Sequence, residues 1–599
     1  MSGEFKSRPI VSLVFGLGLA GVLLFGGHLR EDVGNVYEPP PSDAVLAQST
    51  LRFEEVSDAV GIKFSHAYFP GPPIYLATMF PAVSVVDLDE DGYMDLYFSS
   101  GHGNGVPNLF YRNEGGTAFT EIGESLGIRD MNKTEASSFS VFADFDRDGN
   151  TDLLVAAWGC HHLLFGQGPG KPFRDVTPKL QGYCSNPNGV GVADLDKDGI
   201  LDLVFGNFLP DEEHTDRNWH MPTKGDREHG GRDHVLFGAA DGSFPASSKV
   251  TFPEGTYTHA IGLTDLDRDG YPDILMSTDW SSDDMFRNRG DRHFDDVTDR
   301  YIDRAKAGNS SMNSEIFDFD QDEWPDIYIT NAFKPPYIRA HNNMWKRNPG
   351  KGFEEVALDE GAGRCGFSWG AKFADFDLDG ESDLMVINGR LEGPNVKSTQ
   401  GAYSFWYERF LLHEVPVALR KDYLNDHVHQ MPPNFYMSSF ERNCLFQQKN
   451  SHFYDVAAQA GVADRLNGRG LALVDYDNDG KLDLVIANIG AKALVYHNVT
   501  ASTGDWIGFD LDGGPGKRTP FGARLELERL GKTRIIREIF PTNGMKSQSD
   551  PRVVVGAPAN VAFGRAVVVW ADGAHEAFAF TKNKYNRLVR GQGTHVDGS

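Results

Sequence analysis

Cysteine is scarce. The 599-residue chain has four, Cys160, Cys184, Cys365 and Cys444, and no CxxC. That excludes a zinc–thiolate or thioredoxin-type motif. In an oxidising compartment the count allows one or two disulfides, with Cys160 and Cys184 the closer pair in sequence; buried free thiols are the alternative. Positive charge is also in deficit. Lys plus Arg number 57 against 85 Asp plus Glu, a formal net charge of −28. Such a surface argues against nucleic acid and anionic membranes as partners. No G-x-S-x-G, H-E-x-x-H or phosphate-binding glycine loop is present, so no recognised motif marks an enzyme. Long apolar faces of 3.6-residue period are missing inside the repeated units, which leaves few helices.

One long apolar run exists, from Pro9 to Gly27, behind Lys6 and Arg8 and ahead of Arg30. Residues 1–28 read as a signal anchor, with a cleaved signal peptide as the alternative. Either reading exports the chain, membrane-anchored on the outer side or secreted. Residues 29–50 form a polar, Pro-bearing linker that includes "YEPPPSDAVLAQST".

The rest is dominated by a repeat. "DLDEDGYMDL" at Asp87 recurs at Asp144, Asp194, Asp265, Asp318, Asp375 and Asp475, spaced by 57, 50, 71, 53, 57 and 100 residues. A second pattern, F-x-x-[VI], alternates with it at Phe53, Phe119, Phe173, Phe294, Phe353 and Phe453, with a degraded copy, "GSFPAS", around Phe244. Short apolar stretches such as "NLFYRNEGG" lie between. Each unit offers about four strands with period-two alternation and Gly/Asn turns. Seven such units predict an all-β fold, a seven-bladed β-propeller over residues 51–500, with an open solenoid as the competing architecture. The first F-x-x-V strand precedes the first Asp motif, and the last Asp motif has no F-x-x-V strand of its own. The strand at Phe53 is therefore expected to complete the last unit and close the ring, which removes an exposed sheet edge.

The aspartates predict a bound cation. Positions 1, 3, 5 and 9 of the motif supply carboxylates, and a glycine at position 6 permits a sharp turn. The expected ligands are Asp87, Asp89, Asp91 and Asp95; Asp144, Asp146, Asp148 and Asp152; Asp194, Asp196, Asp198 and Asp202; and Asp265, Asp267, Asp269 and Asp273. Three further sets follow: Asp318, Asp320, Asp322 and Asp326; Asp375, Asp377, Asp379 and Asp383; and Asp475, Asp477, Asp479 and Asp483. A flexible all-oxygen loop suits Ca²⁺ better than Mg²⁺, so up to seven calcium ions are expected. Chance clustering of turn residues explains one copy but not seven. The Asp318 loop departs, with Glu323 in place of glycine; either the site is distorted or the extra carboxylate is used.

These loops, with their "LFYRNEG" and "FEEV" strands, resemble the FG-GAP/VCBS repeats of integrin α-chain propellers. The C-terminal stretches "DWIGFDLDG", "KRTPFGARLEL", "REIFPTNGMKSQSD" and "VVVWADG" resemble the ASPIC/UnbV domain, a small β domain over residues 505–593 with an S-Q turn. Together they resemble the cartilage acidic protein (CRTAC1) family over about Leu51 to Gly593. Departures are "VVVGAP" where the family has F-G-L-G, "YLATMF" where it has an acidic P-E-T-M form, and a long insertion between the last two Asp loops. The resemblance implies a calcium-binding propeller, secreted or at the cell surface, and no defined catalytic activity.

Two stretches fall outside the repeat. Residues 211–234 hold four histidines among acids, and residues 422–440 hold His427, His429, Met431 and Met437. His with Met suits copper and His with Asp suits zinc or iron, but the spacing matches no established motif. His161 and His162 follow a strand next to Cys160. The aromatic insertion from Gly401, with Trp406, Tyr407 and Phe410, is a candidate partner contact or packing element. Sequons stand at Asn132, Asn309 and Asn498. The reading favoured is an exported binding or adhesion platform for a protein or glycan. The alternative is a metal-dependent enzyme or metal-handling protein that uses the His-rich loops.

Overall fold

The structure, a computed structural model, describes residues 49–66, 80–101, 106–133, 135–210, 227–307, 310–334, 338–339, 341–389, 441–501, 504–514, 520–540 and 542–597. The apolar segment 9–27, the aromatic insertion, His220, the segment 422–440 and Asn309 lie outside them.

The fold is all-β. Its unit is an antiparallel meander, shown first by Ala82–Val86, Asp95–Ser99, Leu109–Asn113 and Phe119–Glu121. Equivalent units start at Ala136–Ala143, Cys184–Ala193, Tyr257 within Lys249–Thr264, Ser311–Phe317, Ser368–Ala374 and Gly468–Val474. Each of these first strands packs beside the next, and the last packs beside the first, so they form a ring. Phe53–Glu55 pairs antiparallel with Leu494–Asn498, Phe53 opposite Asn498, and supplies the fourth strand of the last meander. The N-terminal strand thus closes the ring as its phase requires.

Period-two alternation holds less widely than expected. Every residue of Ala82–Val86 and Asp95–Ser99 is buried, because each sheet is covered on both faces by its neighbours. Exposure is concentrated in the outer strands, such as Phe53–Glu55 and Phe119–Glu121, which bury only their phenylalanine fully. One fourth strand is also displaced from its expected place. "GSFPAS" buries Phe244 in the core and leads into a short 3₁₀ turn, and Lys249, Val250 and Thr251 make the pairing instead. Single helical turns, Gly123–Leu126, Thr298–Tyr301 and Ala457–Ala460, follow three of the fourth strands.

Both disulfides form. Cys160–Cys184 joins facing residues of adjacent meanders, and Cys365–Cys444 joins the start of the sixth meander to its third strand. No helix among the described residues is long and apolar enough to cross a membrane. Asn132 and Asn498 are buried. Their side-chain amides donate to Gly101 O and Val106 O, and to Phe376 O and Leu482 O, so both serve the fold.

The C-terminal region folds into two small sheets. Asp505–Asp512 runs between Val553–Ala557 and Tyr585–Val589. A second sheet is ordered Ile535–Glu538, Arg524–Arg529, Phe563–Val569, His575–Phe578, Thr594–His595. Ile507, Phe509, Leu525, Val568 and Trp570 fill the space between them.

Candidate ion-binding loops

Every Asp motif links the first two strands of a meander, and all seven share one hydrogen-bond pattern. The position 1 carboxylate accepts the N–H of position 6 at 2.8–3.2 Å. The position 5 carboxylate accepts the N–H of position 7 at 2.8–3.0 Å. The position 9 aspartate does a second job that its spacing did not announce. One of its oxygens accepts the position 2 N–H at 2.8–3.3 Å. The other accepts an N–H from the third strand, or from a residue just past its end, at 2.7–3.0 Å. It staples the loop to the sheet.

In four of the loops the structure gathers three of the four expected carboxylates. Ligand oxygens of Asp87, Asp89 and Asp91 lie within 4.8 Å of one another, as do those of Asp144, Asp146 and Asp152, of Asp194, Asp196 and Asp202, and of Asp265, Asp267 and Asp269. Burial pushes these groups toward the protonated form: Asp95, Asp152 and Asp273 rise to about 8, and Asp87 and Asp144 to about 6. A cation among them would reverse that shift. The donor set passes a test of fit for such an ion. Oδ1 of Asp87, Asp89, Asp265, Asp267 and Asp377 is buried without a hydrogen-bond partner. An acceptor left so is costly unless something positive meets it. Hard carboxylate and carbonyl oxygens suit Ca²⁺.

The loops are not equivalent. Arg287 reaches Asp267 and Asp269 at 2.6 and 2.9 Å, and Lys346 reaches Asp320 at 2.6 Å. His497 stands 3.2 Å from Asp483 and 3.8 Å from Asp477. His497 was not among the expected ligands, although the pattern held a signal: it precedes Asn498 in "VYHN", as Arg112 precedes Asn113 in "FYRN". The departure at Glu323 has an explanation. Its backbone takes φ +78°, and its carboxylate accepts from Arg534 N and Nη2 at 2.8 Å each. The extra carboxylate is used, as a clamp between the ring and the C-terminal domain.

That domain sits on the loop face of the ring. The stretch expected to be an S-Q turn is instead a plug. Ser547–Gln548 pairs parallel with Val83 and Ser84. Asn543 exchanges hydrogen bonds with Leu263 at 2.8 and 3.2 Å, and its carbonyl accepts from Lys372. Met545 N donates to Asn313, Lys546 donates to Ser138 and Asn188, and Leu473 N donates to Ser549. Residues 543–549 therefore touch the first strand of every meander. Lys546 is fully buried among neutral partners, and burial drives its amine well below the usual lysine range. A cleft of about 420 Å³ remains between the domains, lined by Asp87, Asn478, Trp506, Asp510, Tyr585 and Arg587 among others.

Of the histidines set apart from the repeat, two serve packing. His161 accepts from Ala157 N at 3.1 Å, lies 3.1 Å from Ser185 Oγ and stacks on Phe205. His234 is buried with Nδ1 2.8 Å from Tyr183 Oη.

Comparison with known families matches this geometry. An FG-GAP-like repeat model covers residues 87–155, 144–205 and 265–329, and an ASPIC and UnbV model covers 513–592. The chain carries FG-GAP-like repeats and a C-terminal ASPIC and UnbV domain. It is similar to cartilage acidic protein 1 of Mus musculus, 26% identical over 325 residues, covering 52% of this chain and 46% of the relative. The Homo sapiens protein is 26% identical over 294 residues, covering 48% and 40%. The matches thus span less than half the length of these relatives. Among solved structures, BBS1N in complex with ARL6DN superposes with TM-score 0.37 at 10% identity, covering 70% of this chain and 92% of that one. An Agrocybe aegerita protein that recognises non-reducing terminal N-acetylglucosamine superposes with TM-score 0.35 at 14% identity, covering 70% and 94%.

Proposed function

We propose that this chain is an exported, calcium-stabilised, seven-bladed propeller that serves as a binding or adhesion platform for an extracellular or periplasmic protein or glycan, and that it is not an enzyme. The observation that carries the calcium reading is the set of buried, partnerless carboxylate oxygens in loops of one repeated geometry. Positions 1, 3, 5 and 9 of each loop would hold the ion. Bound calcium supplies charge neutralisation; the ring supplies rigidity. The similarity to cartilage acidic protein 1 supports an extracellular place for it. The plug occupies the loop-face end of the ring, which leaves the interdomain cleft and the outer rim for a partner.

Elemental analysis of the purified chain, with a thermal melt before and after chelation, tests this reading. The expected result is several calcium ions per chain, no stoichiometric transition metal and a melt that falls on chelation. Calcium near zero with an indifferent melt refutes it. Stoichiometric copper, zinc or iron would transfer the function to the His-rich segments 211–234 and 422–440.

A further inference from the structure

We propose that ion occupancy of the loops controls the seating of the C-terminal domain, an inference that rests on the calcium reading above. The domain does not merely lie near the loops; it bonds to the residues that would hold the ions. Tyr585 Oη donates to Asp475 Oδ2 at 2.6 Å, on the oxygen that also accepts Gly480 N. Arg552 donates to Asp475 O at 2.9 Å and to Asn478 Oδ1 at 2.7 Å, and it reaches Gly92 O of the first loop at 3.2 Å. Gly556 packs so closely on the sixth loop that a Cβ there would fall 2.3 Å from Asp375 Oδ2 and 2.8 Å from Leu378 Cα. Asp265 N donates to Glu538 at 3.3 Å, and Glu323 clamps Arg534.

The docking surface is therefore made of loop conformation. An ion holds three or four like charges together; without it they repel, and the loop spreads. A spread Asp475 loop moves both the carboxylate that Tyr585 bonds and the carbonyl that Arg552 bonds. A spread Asp375 loop closes the gap that only glycine at 556 tolerates. The plug, residues 543–549, is carried by the same domain and must be in place for Ser547 and Gln548 to pair with Val83 and Ser84. Calcium binding and plug insertion then favour each other, and by reciprocity the same factor acts in both directions.

The test is amide hydrogen exchange on the full chain with Ca²⁺ alone as ligand, beside a calorimetric calcium titration. In calcium, the amides of 543–549 should be protected. In chelator they should exchange at least tenfold faster, while those of the buried strand Asp152–Cys160 stay protected. Tyr585→Phe should weaken the calcium-coupled protection of the plug about three- to tenfold, with the other loops titrating as before. Bound calcium with unchanged plug exchange overturns this inference and leaves the calcium reading standing. Exchange that rises equally in the plug and in Asp152–Cys160 also overturns it, since that is global unfolding. No calcium bound at all refutes the calcium reading itself, and this inference with it.

Discussion

Asp89→Asn separates an ion site from a mere turn. Asp89 Oδ1 is buried without a partner, and Asp89 shares its loop with Asp87 and Asp91. The substitution removes one charge and little volume. With free calcium at about 100 times the dissociation constant, one site stabilises the fold by about 2.7 kcal/mol. Unfolding entropy of about 2.1 cal/mol/K per residue, over roughly 450 residues of ring, makes that about 3 °C of melting temperature. In calcium, Asp89→Asn should therefore lower the melt by up to about 3 °C. In chelator the sign should invert. Two carboxylates whose oxygens lie within 4.8 Å repel by at least about 1 kcal/mol in a water-like dielectric and by at least about 3.5 kcal/mol at an effective constant of 20. Asp89 is partly solvated, so the lower figure applies and the variant should melt about 1–2 °C higher than the parent. Paired scanning calorimetry in calcium and in chelator reads both signs. Equal shifts in the two buffers would refute the reasoning, because a turn residue has no cause to respond to calcium.

Two further expectations follow from particular contacts. Glu323→Ala keeps the positive φ and loses the hydrogen bonds to Arg534, so it should cost about 1–2 kcal/mol, read as a lower denaturant midpoint; an unchanged midpoint would show the clamp to be idle. Burial lowers His161 to about 3 and His234 to about 4, so between those values and the usual 6.5 the unfolded chain binds protons that the folded chain refuses. Their contribution is whole above pH 6.5 and is lost as pH falls to about 4 for His234 and about 3 for His161, by up to about 1.4 kcal/mol per pH unit for each group. Denaturant midpoints in calcium at pH 5 and 7 should differ accordingly, and His234→Gln should reduce the difference.

The linear order of residues determined the ring and its closure, because both rest on local chemistry. A strand pattern with Asp-Gly turns folds on itself within a few residues, and a repeat of it has only its neighbours to pack on. The phase of Phe53 against Asp475 was enough to foresee that the first strand would finish the last meander. The turn bonds made by aspartates at positions 1 and 5 were equally legible, since they join residues only two to five apart in the chain. Tertiary structure decided the rest. The double hydrogen bonding of position 9 needs the third strand, fourteen or more residues away along the chain. The use of Glu323 needs Arg534, and the bond from Tyr585 to Asp475 spans 110 residues. The S-Q of "TNGMKSQSD" was expected to be a turn by resemblance to the ASPIC/UnbV domain, and nothing in its own composition says that a ring lies beneath it. Lys546 looks like any surface lysine until the plug buries it among Ser138 and Asn188. Local propensity cannot report a partner brought close only by the closure of the ring.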